Sequence, residues 1–206
     1  MRVAVFVVAG VVLAAAGAGA GPSFDCSKGQ TVSEKEVCRV PELQWFDRQL
    51  AHLFNDVKGK GGPVVVADQR VFLAKRETCG TNLECLEHVY GERLKMLGPL
   101  SETADPVGEF RPAQFGGDMW VVRYGGLTGA IQILTVGGGG HTCVFETDDA
   151  TQTGKGVLKA VEANDEGTCR LNVIPDESNL RVETHSCQSF CGMRAIMDGL
   201  YTPVGP

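Results

Sequence analysis

Eight cysteines, divided evenly between the two halves of the chain, constrain its fold more than any other feature. Four precede residue 100 and four follow it. They are Cys26, Cys38, Cys79, Cys85, Cys143, Cys169, Cys187 and Cys191. An even number of cysteines in an exported chain is typical of a disulfide framework. We therefore expect all eight to be paired, with two bridges in each half.

Export itself is predicted from the first 20 residues. Arg2 is followed by an apolar stretch from Val3 to about Ala16, and then by small residues. Ala18 and Ala20 form an A-x-A pattern, so we place signal-peptide cleavage between Ala20 and Gly21. The stretch is shorter than the roughly 20 apolar residues that a transmembrane helix needs. We expect no membrane anchor after cleavage, and a periplasmic or extracellular location.

The composition changes near residue 100, which predicts two domains. Residues 21–98 show helical periodicity, residues 99–107 are typical of a linker, and residues 108–206 are rich in β-type runs. In the first region, four helices are predicted: one over about 32–38, one beginning at Pro41, one from Pro63 to near Cys79, and one capped by Thr81 or Asn82. The glycine-rich segment 59–62 is expected to separate the second helix from the third.

The second region predicts a small antiparallel β-barrel or sandwich, because many short β-type runs alternate with turn signals. The expected strands are Gly108–Pro112, Met119–Tyr124, Ala130–Val136, Thr142–Glu146, Val157–Ala163, Cys169–Ile174, Leu180–Thr184 and one near Leu200–Val204. The fold class is therefore α+β, with a small disulfide-linked four-helix domain followed by the β domain.

The positions of the cysteines suggest how they pair. Cys26 and Cys38 bracket the first helix, and Cys79 and Cys85 bracket the turn before the last one, so we predict both of these bridges. In the β region we predict Cys143–Cys169 and Cys187–Cys191. The alternative is Cys143–Cys191 with Cys169–Cys187, and the sequence does not decide between the two.

Charge is concentrated in the β region. Residues 101–206 hold 7 basic and 14 acidic side chains, a net charge of −7, whereas residues 21–100 are balanced. The chain has no basic stripe, which disfavours nucleic acid as a partner. The acidic cluster of Glu146, Asp148 and Asp149, which we place in a turn, is the predicted contact for a cationic partner.

No motif indicates catalysis. The two H-x-C pairs, His141 with Cys143 and His185 with Cys187, have ligand types that suit zinc. Zinc needs thiolates, however, and an oxidising compartment converts them to disulfides. The same argument removes a cysteine nucleophile. The sequence predicts no catalytic residue, no metal and no cofactor.

Residues 24–97 resemble the N-terminal domain of LprI-type lysozyme inhibitors, a family of exported bacterial proteins. The resemblance rests on the order and spacing of several short motifs. They are Phe24-Asp25-Cys26, Glu34-Lys35, Cys38, Pro41-Glu42-Leu43, Asp47-Arg48-Gln49-Leu50, Gln69-Arg70, Phe72-Leu73, Arg76, Cys79, Cys85-Leu86, Tyr90, Arg93 and Leu97. Phe72 stands where the family commonly has Trp, and Glu77 where Asp is usual. The β region resembles the acidic domain that sometimes follows, through His141, Cys143, Cys169 and the stretch from Cys187 to Tyr201.

The resemblance implies an exported lysozyme inhibitor that acts by steric occlusion, with a cationic protein such as a lysozyme as its partner. Two alternatives stay open. One is an envelope protein that binds a glycan or another exported protein. The other is a hydrolase, which requires a concave site of carboxylates or histidine. The oligomeric state is not predicted.

Overall fold

The protein combines α-helices with an eight-stranded antiparallel β-barrel. The structure is a computed structural model that describes residues 21–101 and 107–205. Ala20 of the predicted cleavage site, together with the rest of the predicted signal peptide, lies outside the described residues, as do residues 102–106 of the predicted linker. Over the described ranges, no helix is both long and apolar enough to cross a membrane.

The described helical region contains three α-helices: α1 (Val32–Arg39), α2 (Pro41–Cys79) and α3 (Leu83–Leu97). Short 3-10 helices cover Cys26–Lys28, Gly98–Leu100 and Gln188–Phe190. Thr31 begins α1 with a capping box completed by Glu34, and the Asn82 side chain caps α3. The segment from Pro41 to Cys79 is the long central element.

The predicted count of four helices is wrong, because α2 includes both the second and the third predicted helices. The backbone leaves helical geometry at Gly62 alone, where φ is 62°, and Pro63 follows directly. This φ suits glycine, which has no Cβ to clash. The chain therefore kinks at this point instead of forming the loop that the glycine-rich sequence suggested.

The barrel strands follow one another in sequence order, and β1 pairs with β8 to close the barrel. The strands are β1 (Gly108–Pro112), β2 (Gly116–Arg123), β3 (Thr128–Val136), β4 (Thr142–Gln152), β5 (Leu158–Asn164), β6 (Gly167–Asp176), β7 (Asn179–His185) and β8 (Gly199–Pro203). Inward side chains such as Met119, Phe145 and Tyr201 fill the interior. The structure thus selects the barrel over the sandwich.

All eight cysteines form disulfides, two in each half of the chain, and such a set of bridges is typical of an oxidising, exported environment. Cys26–Cys38 and Cys79–Cys85 are confirmed. In the barrel the preferred pairing is wrong and the alternative is found: Cys143–Cys191 and Cys169–Cys187. Cys191 forms an isolated antiparallel bridge with Cys143, and β7, which leads into Cys187, pairs with β6 beside Cys169, so each disulfide joins neighbouring backbone segments.

The helices cover one face of the barrel. Trp120, Val122 and Ala130, on the outer face of β2 and β3, belong to the same buried cluster as the helical side chains. Met119 and Val121 point the other way, into the barrel core. Strand β2 is therefore buried on both faces, which explains its uninterrupted apolar run Met-Trp-Val-Val.

Candidate functional site

The acidic residues predicted to contact a partner lie in strand β4, so their placement in a turn is corrected. Glu146 and Asp148 face α2 and are partly buried, whereas Asp149 is exposed. Arg48 of α2 donates from Nε to Asp148 at 2.6 Å and from Nη2 to Glu146 at 2.8 Å. Two of the three carboxylates therefore join the helices to the barrel, and their contact with a partner remains a prediction.

Further polar contacts hold α2 on the barrel beside this ion pair. Gln49 donates to Asp148 at 2.5 Å and shares a short hydrogen bond with the hydroxyl of Tyr124. Asp56 accepts from the backbone N–H of Gly125 at 3.1 Å. Because charge-assisted hydrogen bonds depend on direction as well as distance, this set fixes the orientation of α2 against the barrel.

The aromatic part of the same junction is formed around Trp120. The Phe46 ring of α2 meets the indole edge to face, with centroids 5.1 Å apart. On the α3 side, Gly91 leaves room for the indole, since a Cβ at this position would lie 2.6 Å from Cη2 of Trp120. Lys95 lies over the ring, with Nζ 5.6 Å from its centroid. Trp120 is only 7% exposed, so it forms the floor of the junction.

An acidic cleft of 340 Å³ opens above this floor, between α2, α3 and strands β1 and β2. We call it the junction cleft. Six carboxylic side chains line it: Glu42, Glu84, Glu87, Glu92, Glu109 and Asp118. Lys95, Arg111 and His88 also contribute to the wall. Acidic groups outnumber basic ones, so the cleft is negatively charged.

The carboxyl groups at the centre of the cleft resist ionisation. Burial raises the pKa of Glu42 to about 7, and the charges of Glu87 and Asp118 add to the effect. Burial also raises the pKa of Glu87, with Asp118 as the next cause, and the pKa of Asp118, with Glu109 as the next cause. Like charges held together in a partly dry site produce this behaviour.

Glu42 and Glu87 lie close enough together that each carboxyl group affects the pKa of the other. Such a pair can exchange a proton near neutral pH, or it can release the proton when a cation enters. Over the described residues, no cluster of three or more His, Cys, Asp or Glu side chains is arranged to hold a metal ion.

Sequence reasoning did not identify the junction cleft. Its carboxylates come from α2, α3 and the first two strands, so nothing in their spacing along the chain connects them. One signal was present: the run Met119–Val122 lacks alternation, which indicates a strand covered on its outer face. The element that covers it could not be read from the sequence.

Comparison with known proteins leaves the family open. No protein-family model, curated protein or solved structure matches the chain. The resemblance of residues 24–97 to LprI-type inhibitors therefore remains a prediction.

Proposed function

We propose that the protein is an exported binding protein whose junction cleft receives a cationic group of a partner protein. The single observation that carries this proposal is the set of partly buried carboxyl groups around Glu42, Glu87 and Asp118. A cleft at a contact between two structural units is a common position for a binding site, and carboxyl groups with shifted pKa values often mark one.

A lysine or arginine side chain of the partner suits this cleft chemically. An incoming ammonium or guanidinium group donates hydrogen bonds to Glu42 and Glu87 and offsets the repulsion between their carboxylates. The net charge of −7 in residues 101–206 adds long-range attraction for a basic protein and raises the association rate. The resemblance to LprI-type inhibitors supports a cationic lysozyme as the partner, with inhibition by steric occlusion of its substrate cleft.

The test is a turbidity assay in which a c-type lysozyme digests cell walls at low salt. We expect the purified protein to slow clearing, and the double variant Glu42→Gln/Glu87→Gln to slow it less. The control variant Asp165→Asn/Glu166→Gln makes the same charge change on the exposed turn between β5 and β6 and should inhibit as well as the wild type. Equal inhibition by all three proteins would place the contact outside the cleft.

Absence of any inhibition would count against a lysozyme partner. A pull-down with isolated cell wall then separates the remaining possibilities. Retention on cell wall supports the envelope-protein alternative, in which a glycan or another exported protein is bound.

A hydrolase is the second candidate, because that hypothesis required a concave carboxylate site and the junction cleft is one. Glu42, with a pKa of about 7, has the properties of a general acid, and Glu87 is the neighbouring carboxylate. The same turbidity assay without lysozyme tests this reading. Clearing by the wild type but not by Glu42→Gln would support hydrolysis, and no clearing would exclude cell wall as the substrate.

A further inference from the structure

The part of α2 after the kink carries an apolar stripe on its outer face. Val64, Ala67, Val71 and Ala74 recur at alternating spacings of three and four residues. All four are exposed, and Val64 and Val71 are each 68% exposed. We call this set the α2 stripe. A helix face with this periodicity normally packs against another helix.

The exposed apolar surface extends from the stripe toward α3. Val71 and Met96 line a groove of 220 Å³ between the two helices, and Met96 is 59% exposed. Scattered exposed apolar side chains are ordinary, but a contiguous row of them marks an interaction surface. The charged side chains beside this row indicate which partner packs against it.

Charged side chains flank the α2 stripe in a self-complementary order. Asp68 and Lys75 lie along one edge, seven residues apart, and Arg70 and Glu77 lie along the other edge with the same spacing. Each edge thus carries one acid and one base. Glu77 accepts hydrogen bonds from Arg76 and Ser33 yet keeps 34% of its side chain exposed.

In a dimer with a twofold axis through the α2 stripe, opposite charges of the two copies face each other. When two copies of α2 pair in antiparallel orientation with Val71 opposite Ala74, Asp68 of one copy faces Lys75 of the other. The same alignment brings Arg70 opposite Glu77 and Ala67 opposite Thr78. A parallel pairing instead places Arg70 near Lys75 of the second copy, which is repulsive. The charges therefore select one orientation.

We propose that the protein forms a twofold-symmetric dimer through antiparallel pairing of its α2 stripe. The interface is isologous, so every favourable contact occurs twice. The alanines allow close approach of the two helices, while Val71 and Met96 supply the apolar area, and Val64 lies opposite the end of α2 in the other copy. This inference does not depend on the function of the junction cleft.

Sedimentation velocity of the mature chain over a range of concentrations tests the proposal. The wild type should show a concentration-dependent dimer. Lys75→Asp replaces two attractions with two repulsions and should weaken dimerisation by about tenfold, on the scale of exposed ion pairs. The double variant Asp68→Lys/Lys75→Asp restores opposite charges and should recover the dimer. Val71→Glu should give a monomer.

Lys155→Asp is the matched control, since it makes the same charge change on an exposed turn of the barrel. It should dimerise like the wild type, and circular dichroism should show all variants folded. A wild type that stays monomeric up to about 0.5 mM, a range that covers weak self-association, overturns the proposal. So does a double variant that dimerises no better than Lys75→Asp, because the twofold alignment would then be wrong.

Discussion

Replacement of Gly91 by alanine tests directly how α3 sits on the barrel. A Cβ at Gly91 would lie 2.6 Å from Cη2 and 2.9 Å from Cζ2 of Trp120. Ordinary contacts between carbon atoms begin near 3.5 Å. The indole cannot simply rotate away, because Phe46 packs against it and it is 7% exposed. The added methyl group must therefore push α3 and strand β2 apart.

The magnitude follows from two opposing effects. Alanine in a helix is favoured over glycine by about 1 kcal/mol. Overpacking of a buried contact costs about 1–3 kcal/mol. We expect Gly91→Ala to lower the free energy of unfolding by up to about 2 kcal/mol, the excess of the second effect over the first.

Gly59→Ala is the matched comparison, because it is the same chemical change in α2 at a position where an added Cβ meets nothing within 4 Å. Here only the helix preference acts, so stability should rise by about 0.5–1 kcal/mol. The assay is urea unfolding with the disulfides intact, followed by circular dichroism and tryptophan fluorescence. If Gly91→Ala proves as stabilising as Gly59→Ala, the close approach of α3 to Trp120 is refuted.

Three further predictions concern the junction and the barrel. Arg48→Met should lower the free energy of unfolding by about 2–3 kcal/mol, because it leaves neighbouring carboxylates without their cation. In a double-mutant cycle, adding Asp148→Asn should recover part of this loss, and strictly additive effects would mean that the two side chains do not interact. Ionisation of Glu42 opposes folding, since its pKa is raised to about 7 in the folded protein. In thermal unfolding, Glu42→Gln should therefore be as stable as the wild type below pH 4.5 and more stable by about 1–2 kcal/mol above pH 7. A stability difference that does not change with pH would contradict this. Non-reducing peptide mapping should recover Cys143 linked to Cys191, and recovery of any other partner for Cys143 would contradict the barrel topology.

The sequence predicted the local elements well because each depends on nearby residues. Strand β1 has the predicted bounds, Gly108–Pro112, and the other strands begin and end within about three residues of the predicted ones, except that β4 continues past Glu146 to Gln152. The helix predicted over about 32–38 matches α1, which begins after the capping box of Thr31 and Glu34. Such signals act over three or four residues and need no knowledge of the rest of the fold.

Features that depend on distant residues were beyond the sequence. The cysteine pairs of the barrel follow from which strands are neighbours, and that order is known only once the barrel closes. The junction cleft is a stronger case, because Glu42 and Asp118 are 76 residues apart in the sequence and meet only when α2 lies on β2. Glu146 and Asp148 looked like free surface charges for the same reason: Arg48 lies in the other half of the chain.

The double burial of β2 bears on whether the two halves of this chain can exist apart. Expressed alone, the barrel would expose Trp120, Val122 and Ala130 to water, and such a surface favours aggregation. The helical half buries this outer face, as one subunit of an obligate heterodimer buries the apolar surface of the other. The two halves should therefore behave as complementing fragments that reassociate when mixed, and the covalent connection between them mainly keeps their effective concentration high.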